Sequence, residues 1–443
     1  MTRIFSRFFR CNLAASALLL VAAGSGVAAP VLMISVDGMK PEYVLEADAR
    51  GLRIPYLRRL ISEGAYAEGV VGVWPTITYP SHTTLVTGVS PAEHGILANL
   101  EFDSQHHFKE SWFWYAAQIR VPTLWQAAHA AGLSTASVGW PATVGAAGLD
   151  YLIAALSLPV GILAQMHDSV GSYLMANDTS RHGDEVKTRF AIEILHKYKP
   201  GFMTLHLSSL DDAEHSYGAF STQANQDLEA IDTMLSQLAA AAHASDPATV
   251  VAVVSDHGFT PLTHKVNLYL PFLRSGLINV TPDSETQTPK ITSWKAQPWL
   301  ASGMAAIMLH DPGDRDTERV VGELLRTLAA DLNNGIAHIA ERAEIKQLGG
   351  FPDAAYLVVF KPGYYAGGNW SGDFVTEMRG NHGGHGFSPE YSEMRAALFV
   401  SGVGIAHHRD LGVIDMRQIA PTMALLMGVT LPASKAVPLH LTQ

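Results

Sequence analysis

Cysteine is nearly missing from this chain of 443 residues: the single one, Cys11, lies in the N-terminal stretch. If that stretch is removed no thiol remains, so disulfides and thiolate chemistry are excluded, and the chain suits an oxidising compartment. Positive charge is also scarce, with 30 Lys and Arg against 41 Asp and Glu and a formal net charge of −11. Such a surface has no basic stripe for a polyanion backbone, so a stable nucleic-acid complex is disfavoured and any phosphate recognition must be local. Long apolar runs are lacking too. The run at 13–23 is shorter than a membrane span of ~20 residues. Arg3, Arg7 and Arg10 precede it and Val27-Ala28-Ala29 follow, the layout of a secretory signal over residues 1–29 with cleavage near Ala29. The expected location is periplasmic or secreted, without membrane association after cleavage; an uncleaved anchor is the alternative reading.

Apolar residues are plentiful at 48% of the chain, enough for a large core and one big α/β domain carrying an insertion. Short β-branched runs recur at 31–36, 69–73, 135–139, 202–207, 250–254 and 397–400. Between them, segments with helical apolar spacing run over 52–61, 186–198 and 228–242. Continuous apolar strands alternating with helices predict a mostly parallel sheet sandwiched by helices. Over 263–370 the alternation weakens, leaving a readable helix at 317–333 and a strand at 355–360, so this stretch is expected to be an inserted smaller subdomain beside the active site. A last helix, 415–427, is expected to return to the core.

In such a sheet, ligands bind beyond the carboxyl ends of the strands. Asp37 follows the first strand in Val36-Asp37-Gly38, Asp256-His257-Gly258 follows the run 250–254, and Asp211 comes soon after 202–207. Asp211 and His215 are four apart, which places both on one face of a helical turn, a spacing that suits a metal. His385 stands between glycines in Gly384-His385-Gly386, where backbone can approach a ligand closely; His382 nearby reads as structural. The hydroxyl-rich stretch Pro75-Thr76-Ile77-Thr78-Tyr79-Pro80-Ser81-His82-Thr83-Thr84, closing with His94-Gly95-Ile96 and Asn99, is ambiguous alone, because Ser and Thr also cap helices.

Together these segments resemble the nucleotide pyrophosphatase/phosphodiesterase branch of the alkaline phosphatase superfamily, in the order that family uses. The resemblance implies a threonine nucleophile at Thr78 and a covalent phosphothreonine intermediate. It implies two Zn2+ per chain, one held by Asp37, Thr78, Asp256 and His257, the other by Asp211, His215 and His385. Asn99 would donate to a phosphoryl oxygen, and Tyr79 would line the substrate site. Trp112, Trp114 and Tyr151 are further candidates for a slot around the leaving group, with core packing the favoured reading for most of them; only Tyr79 is placed by the motif. The substrate implied is a small phosphodiester or nucleotide.

A sulfatase of the same superfamily needs a Cys or Ser nucleophile, and Thr78 occupies that position. A phosphomonoesterase is the serious alternative, because threonine-using relatives share Thr-x-Tyr-Pro and the Asn. Those enzymes add Lys and Arg after the third strand to neutralise a dianion, and the stretch 139–165 has neither. Its Trp140-Pro141 pair looks like the diesterase branch, with Ala142-Thr143 departing from the usual Gly-Ser. A phosphonoacetate hydrolase-like enzyme and a non-catalytic metal-binding protein are the lesser readings, the latter disfavoured because no expected ligand is missing.

Overall fold

The computed structural model describes residues 28–104, 111–156, 172–282 and 289–442. The proposed signal over 1–29 lies outside these residues except for Ala28 and Ala29. Ala29 donates its N–H to Leu426 O at 3.0 Å.

Among the described residues nine strands form the main sheet, in the order Arg409–Asp410, Ala65–Tyr66, Leu398–Ser401, Val250–Val254, Val31–Val36, Phe202–Leu207, Thr135–Val138, Tyr151–Leu156, Ser172–Ala176. The central pairings are parallel, with Ser35 opposite both His206 and Val254; Leu398–Ser401 runs antiparallel to Val250–Val254. All six residues of Val31–Val36 are buried, as a strand covered on both faces requires. Alternation splits them: Leu32, Ile34 and Val36 join the core under helices Arg181–Tyr198 and Thr222–Ser245. Val31 and Met33 join the opposite core, with Leu85 and Val86 of helix Thr78–Thr87 and Ile419 and Met423 of helix Ile419–Leu426.

Two expectations change. The apolar run at 69–73 is not a main-sheet strand: Gly69–Val71 pairs with Val413–Asp415 in a separate two-stranded sheet. A short apolar run states burial but not its partner. The last helix starts later than expected, at Ile419, behind a 3-10 turn over Met416–Gln418.

From Thr260 to Gly384 the chain builds smaller sheets, one of four antiparallel strands (Ala296–Ala301, Met304–Leu309, Tyr356–Phe360, Ile336–Glu341) and one in which Thr260–Asn267 lies between Tyr364–Gly367 and Val375–Gly384. Among the described residues no helix is long and apolar enough to cross a membrane.

Candidate metal centre and nucleophile

Val250–Val254, Val31–Val36 and Phe202–Leu207 are consecutive in the sheet, so their carboxyl ends deliver Asp256-His257, Asp37 and the turn before Asp211 to one place. Two glycines make the approach feasible. Gly38 has φ +72°, and a Cβ there would meet Glu214 Oε2 and the Phe259 ring at 2.7 Å; its N–H donates to Asp256 Oδ1 at 3.1 Å. A Cβ on Gly258 would lie 2.1 Å from Glu393 O, so only glycine lets the loop pass.

The side chains gather into two groups whose ligating atoms lie within 4.8 Å of one another, Asp37 with Asp256 and His257, and Asp211 with His215 and His385. His257 Nε2 is 3.4 Å from Asp37 Oδ1 and 3.1 Å from Asp256 Oδ2. His385 Nε2 is 3.2 Å from His215 Nε2 and 3.9 Å from Asp211 Oδ1. The groups adjoin, since the His257 and His385 rings stack at 3.6 Å and 9°. His215 and His385 turn their Nδ1 atoms to Gly383 O at 3.1 Å and Thr76 O at 3.1 Å, aiming both Nε2 atoms inward.

Burial raises the Asp37 carboxyl well above its usual range, with the Asp211 charge adding to it; burial raises Asp256 likewise, with Asp37 adding, and raises Asp211. Burial lowers the His257 imidazole well below its usual range, and lowers His385 to about 3. Asp37 Oδ1, Asp211 Oδ1, Asp256 Oδ2 and both His257 nitrogens are buried without a hydrogen bond. Such atoms are costly unless a cation pairs them, so the carboxylates and imidazoles of each group form a donor set that could hold a metal ion.

Thr78 opens helix Thr78–Thr87, behind Ile77 at the N-cap, which makes no side-chain cap bond. Thr78 is therefore no cap; it is a partly exposed hydroxyl at a helix start, where backbone N–H groups favour an anion. The helix is tied to both ligand groups. His82 Nδ1 donates to Thr78 O at 2.8 Å and lies 3.5 Å from Asp256 Oδ2, while Thr76 O receives Gly386 N–H at 2.9 Å. Asn99 Oδ1 accepts the Tyr79 N–H at 2.9 Å, leaving its amide hydrogens for a ligand. Tyr79 packs on Trp112 and Trp114 at 5.3 and 5.9 Å. Tyr151 does not join them: it lies at the start of its strand and stacks on Tyr198 at 3.8 Å. His382 sits outside the ligand groups, with Nδ1 3.4 Å from His215 O.

A second ring of buried polar residues carries no motif of its own. His206 Nε2 is 2.8 Å from Asp37 Oδ2. Glu214 Oε1 accepts the Tyr43 hydroxyl at 2.9 Å. Lys187 Nζ pairs with Asp184 Oδ1 at 2.7 Å and donates to Ser208 Oγ at 3.0 Å, and Asp184 accepts the N–H groups of Ser208 and Ser209. The sequence signal for these was weak; Asp184 and Lys187 at i,i+3 look like any solvated helix pair.

A helix-flanked, mainly parallel sheet with two adjoining Asp/His groups at its central strand ends, beside a threonine at a helix start, defines an α/β protein with a candidate metal centre at its strand ends. The chain belongs to the type I phosphodiesterase / nucleotide pyrophosphatase family, whose sequence profile matches residues 31–388. It is 26% identical over 254 residues to ectonucleotide pyrophosphatase/phosphodiesterase family member 1 of Homo sapiens, covering 54% of this chain and 24% of that protein. It is 28% identical over 197 residues to the bis(5'-adenosyl)-triphosphatase of Homo sapiens, covering 42% of this chain and 37% of that one. The chain thus spans about a quarter to a third of these curated relatives' length. Murine ectonucleotide pyrophosphatase/phosphodiesterase 5, solved inactive and in complex with AMP, shares the fold with a TM-score of 0.65 at 20% identity, over 93% of this chain and 97% of that one.

Proposed function

We propose that this protein is a secreted or periplasmic dizinc hydrolase of phosphodiester or phosphoanhydride bonds in a small nucleotide-like substrate, with Thr78 as nucleophile. The observation that carries this reading is the pair of abutting Asp/His groups in which one buried oxygen each of Asp37, Asp211 and Asp256 and both His257 nitrogens have no hydrogen-bond partner, next to Thr78 at a helix start. Asp37, Thr78, Asp256 and His257 would hold one ion and Asp211, His215 and His385 the other. Bound there, Zn2+ supplies Lewis-acid charge to the reacting oxygens.

Thr78 Oγ1 gives up its proton and forms a bond to phosphorus as the bond to the leaving oxygen breaks, the leaving group departing as the alcohol or phosphate with one proton; water then bonds to phosphorus as the Oγ1–P bond breaks, and one of its protons restores the threonine hydroxyl. Asn99, its Oδ1 held by Tyr79, donates Nδ2–H to a non-bridging oxygen and stabilises charge there without adding a full positive charge. Tyr79, Trp112 and Trp114 form an aromatic wall suited to a base or aryl group. The 263–370 block, read as an inserted subdomain, adds to leaving-group selection: Trp299 from its four-stranded sheet donates to Leu100 O at 3.0 Å, beside Asn99.

Charge favours a diester over a monoester. A monoester near neutral pH carries nearly two negative charges and gains from a cation beyond the metals. Lys187, buried close to Gly139, is already committed to Asp184 and Ser208. The relatives that act on or bind adenosine phosphates support a nucleotide substrate. The test compares a bis-aryl phosphate, its monoester and a dinucleoside polyphosphate at one pH and zinc level, with the diester or anhydride expected to show the higher kcat/KM. A tenfold preference for the monoester, about 1.4 kcal/mol of transition-state discrimination, would replace this reading with a phosphomonoesterase.

A further inference from the structure

Behind Asp37 stands a histidine that the proposed reaction does not use. His206 lies in the strand Phe202–Leu207, directly opposite Ser35 of Val31–Val36, and its ring is buried. Its Nε2 is 2.8 Å from Asp37 Oδ2 and its Nδ1 is 3.3 Å from Gly139 O. The ring packs edge-on against His82 at 4.5 Å. Asp37 therefore has two unlike oxygens. Oδ2 is taken by His206, whereas Oδ1 makes no hydrogen bond and faces His257 Nε2 at 3.4 Å.

We propose that His206 is a positioning residue for Asp37: by donating Nε2–H to Oδ2 it fixes the rotation of the carboxylate and leaves Oδ1 as the single oxygen aimed at the cation site. This rests on the metal reading above. Both neighbours of the ring are acceptors, and a neutral imidazole has one N–H. The proton goes to the shorter contact and the charged acceptor, because a charge-assisted bond is the stronger. Gly139 and His82 then only confine the ring. A histidine present merely to fill the core would leave its polar edge indifferent to which oxygen of Asp37 it met. Outer groups of this kind commonly tune a metal site, and their loss weakens metal binding.

Three variants separate positioning from packing. His206→Gln keeps an N–H near the reach of Nε2, His206→Asn falls short of Asp37, and His206→Leu removes the donor. The holoenzyme of each is equilibrated in chelator-buffered Zn2+ and its bound zinc counted, and kcat and KM are measured on a bis-aryl phosphate. In the Asn and Leu variants one of the two ions should dissociate at a free Zn2+ level roughly 10–100-fold higher than in wild type. The other ion should be held as in wild type, kcat should fall with KM little changed, and Gln should recover most of both losses.

Wild-type zinc titrations for Asn and Leu, or a Gln variant no better than Leu, would overturn the proposal. If the Leu variant does not fold, the Asn and Gln comparison decides alone. A wild-type protein that takes up no Zn2+ overturns the metal reading itself, and this proposal with it; zinc in the wild type with unaffected variants overturns this proposal only.

Discussion

Removing the metal should change how stability depends on pH, with a sign that the burial of the site dictates. Stripping the ions leaves Asp37, Asp211 and Asp256 facing one another, with the buried Glu214 alongside. Burial is the first cause of the upward shift of all four carboxyls. A carboxyl raised in the folded state binds its proton more tightly there than in the unfolded chain. Its contribution to stability is full below the unfolded pKa and is lost as pH rises through the folded value. The buried histidines oppose this. Burial lowers His94, His206 and His385 to about 3, and lowers His82 and His257 as well, so the unfolded chain takes up protons below its ordinary pKa of 6.5 and stability falls as pH drops.

Above pH ~6.5 the histidine contribution is complete and only the carboxyls act. From there upward the stripped protein should gain no further stability, and any change with pH should be a loss. Bound Zn2+ pairs the carboxylates and removes the alkaline loss, so the gain from metal should grow with pH. Two sites at a free-ion level of ~100 times the dissociation constant add about 5 kcal/mol. Unfolding entropy of about 2.1 cal/mol/K per residue over 443 residues converts this to a Tm rise of ~6 °C. Thermal melts of chelated and zinc-loaded protein at pH 5.5, 6.5, 7.5 and 8.5 measure it. A stripped protein that gains stability steadily from pH 6.5 to 8.5 would show that the three aspartates carry no burden for metal to relieve.

Thr78→Ala should abolish turnover yet leave the unfolding free energy within the range of a surface change, about ±0.5 kcal/mol, because Thr78 makes no cap bond; near wild-type kcat would mean that water attacks directly. Asn99→Ala should lower kcat by roughly 10²–10³, read by steady-state kinetics on a bis-aryl phosphate, and an unchanged kcat would remove Asn99 from the phosphoryl site. Asp232→Ala should cost about 2–3 kcal/mol in denaturant melts, since its carboxylate accepts the buried N–H groups of Tyr56 at 3.1 Å and Leu57 at 2.7 Å and caps helix Pro55–Glu63 from another helix. A loss below 0.5 kcal/mol would show that water satisfies those groups.

The candidate ligands were legible because each announces itself locally. Asp37, Asp256 and His257 end apolar runs on a glycine, and Asp211 and His215 share a helical face, so strand-end geometry brings them to one edge before any contact is known. Pairing was legible only as far as burial goes. The run at 69–73 has the same composition as the core strands and pairs elsewhere, with Val413–Asp415, because composition does not say which edge a strand meets. Tyr151 failed as a slot residue for a related reason: it enters its strand at the end away from the ligands, and stacks on a tyrosine 47 positions later.

The outer ring was illegible because its chemistry is created by strand order. His206 occupies an apolar strand, and nothing within Phe202–Leu207 tells that Val31–Val36 is its neighbour. Only the parallel register, Ser35 opposite His206, sets the imidazole behind Asp37, which lies two residues beyond Ser35 on the same face of the chain. Asp184 and Lys187 would be an ordinary exposed pair on a helix, yet they are buried: Asp184 accepts the backbone N–H groups of Ser208 and Ser209 and Lys187 donates to Ser208 Oγ, at the turn that launches helix Ser209–Tyr217 and with it Asp211 and His215. A buried pair of this kind adds little net stability and is costly to break from one side. Its effect here falls on direction: one carboxylate on helix Arg181–Tyr198 fixes where the helix bearing two candidate metal ligands begins, and so sets the second candidate group relative to the first.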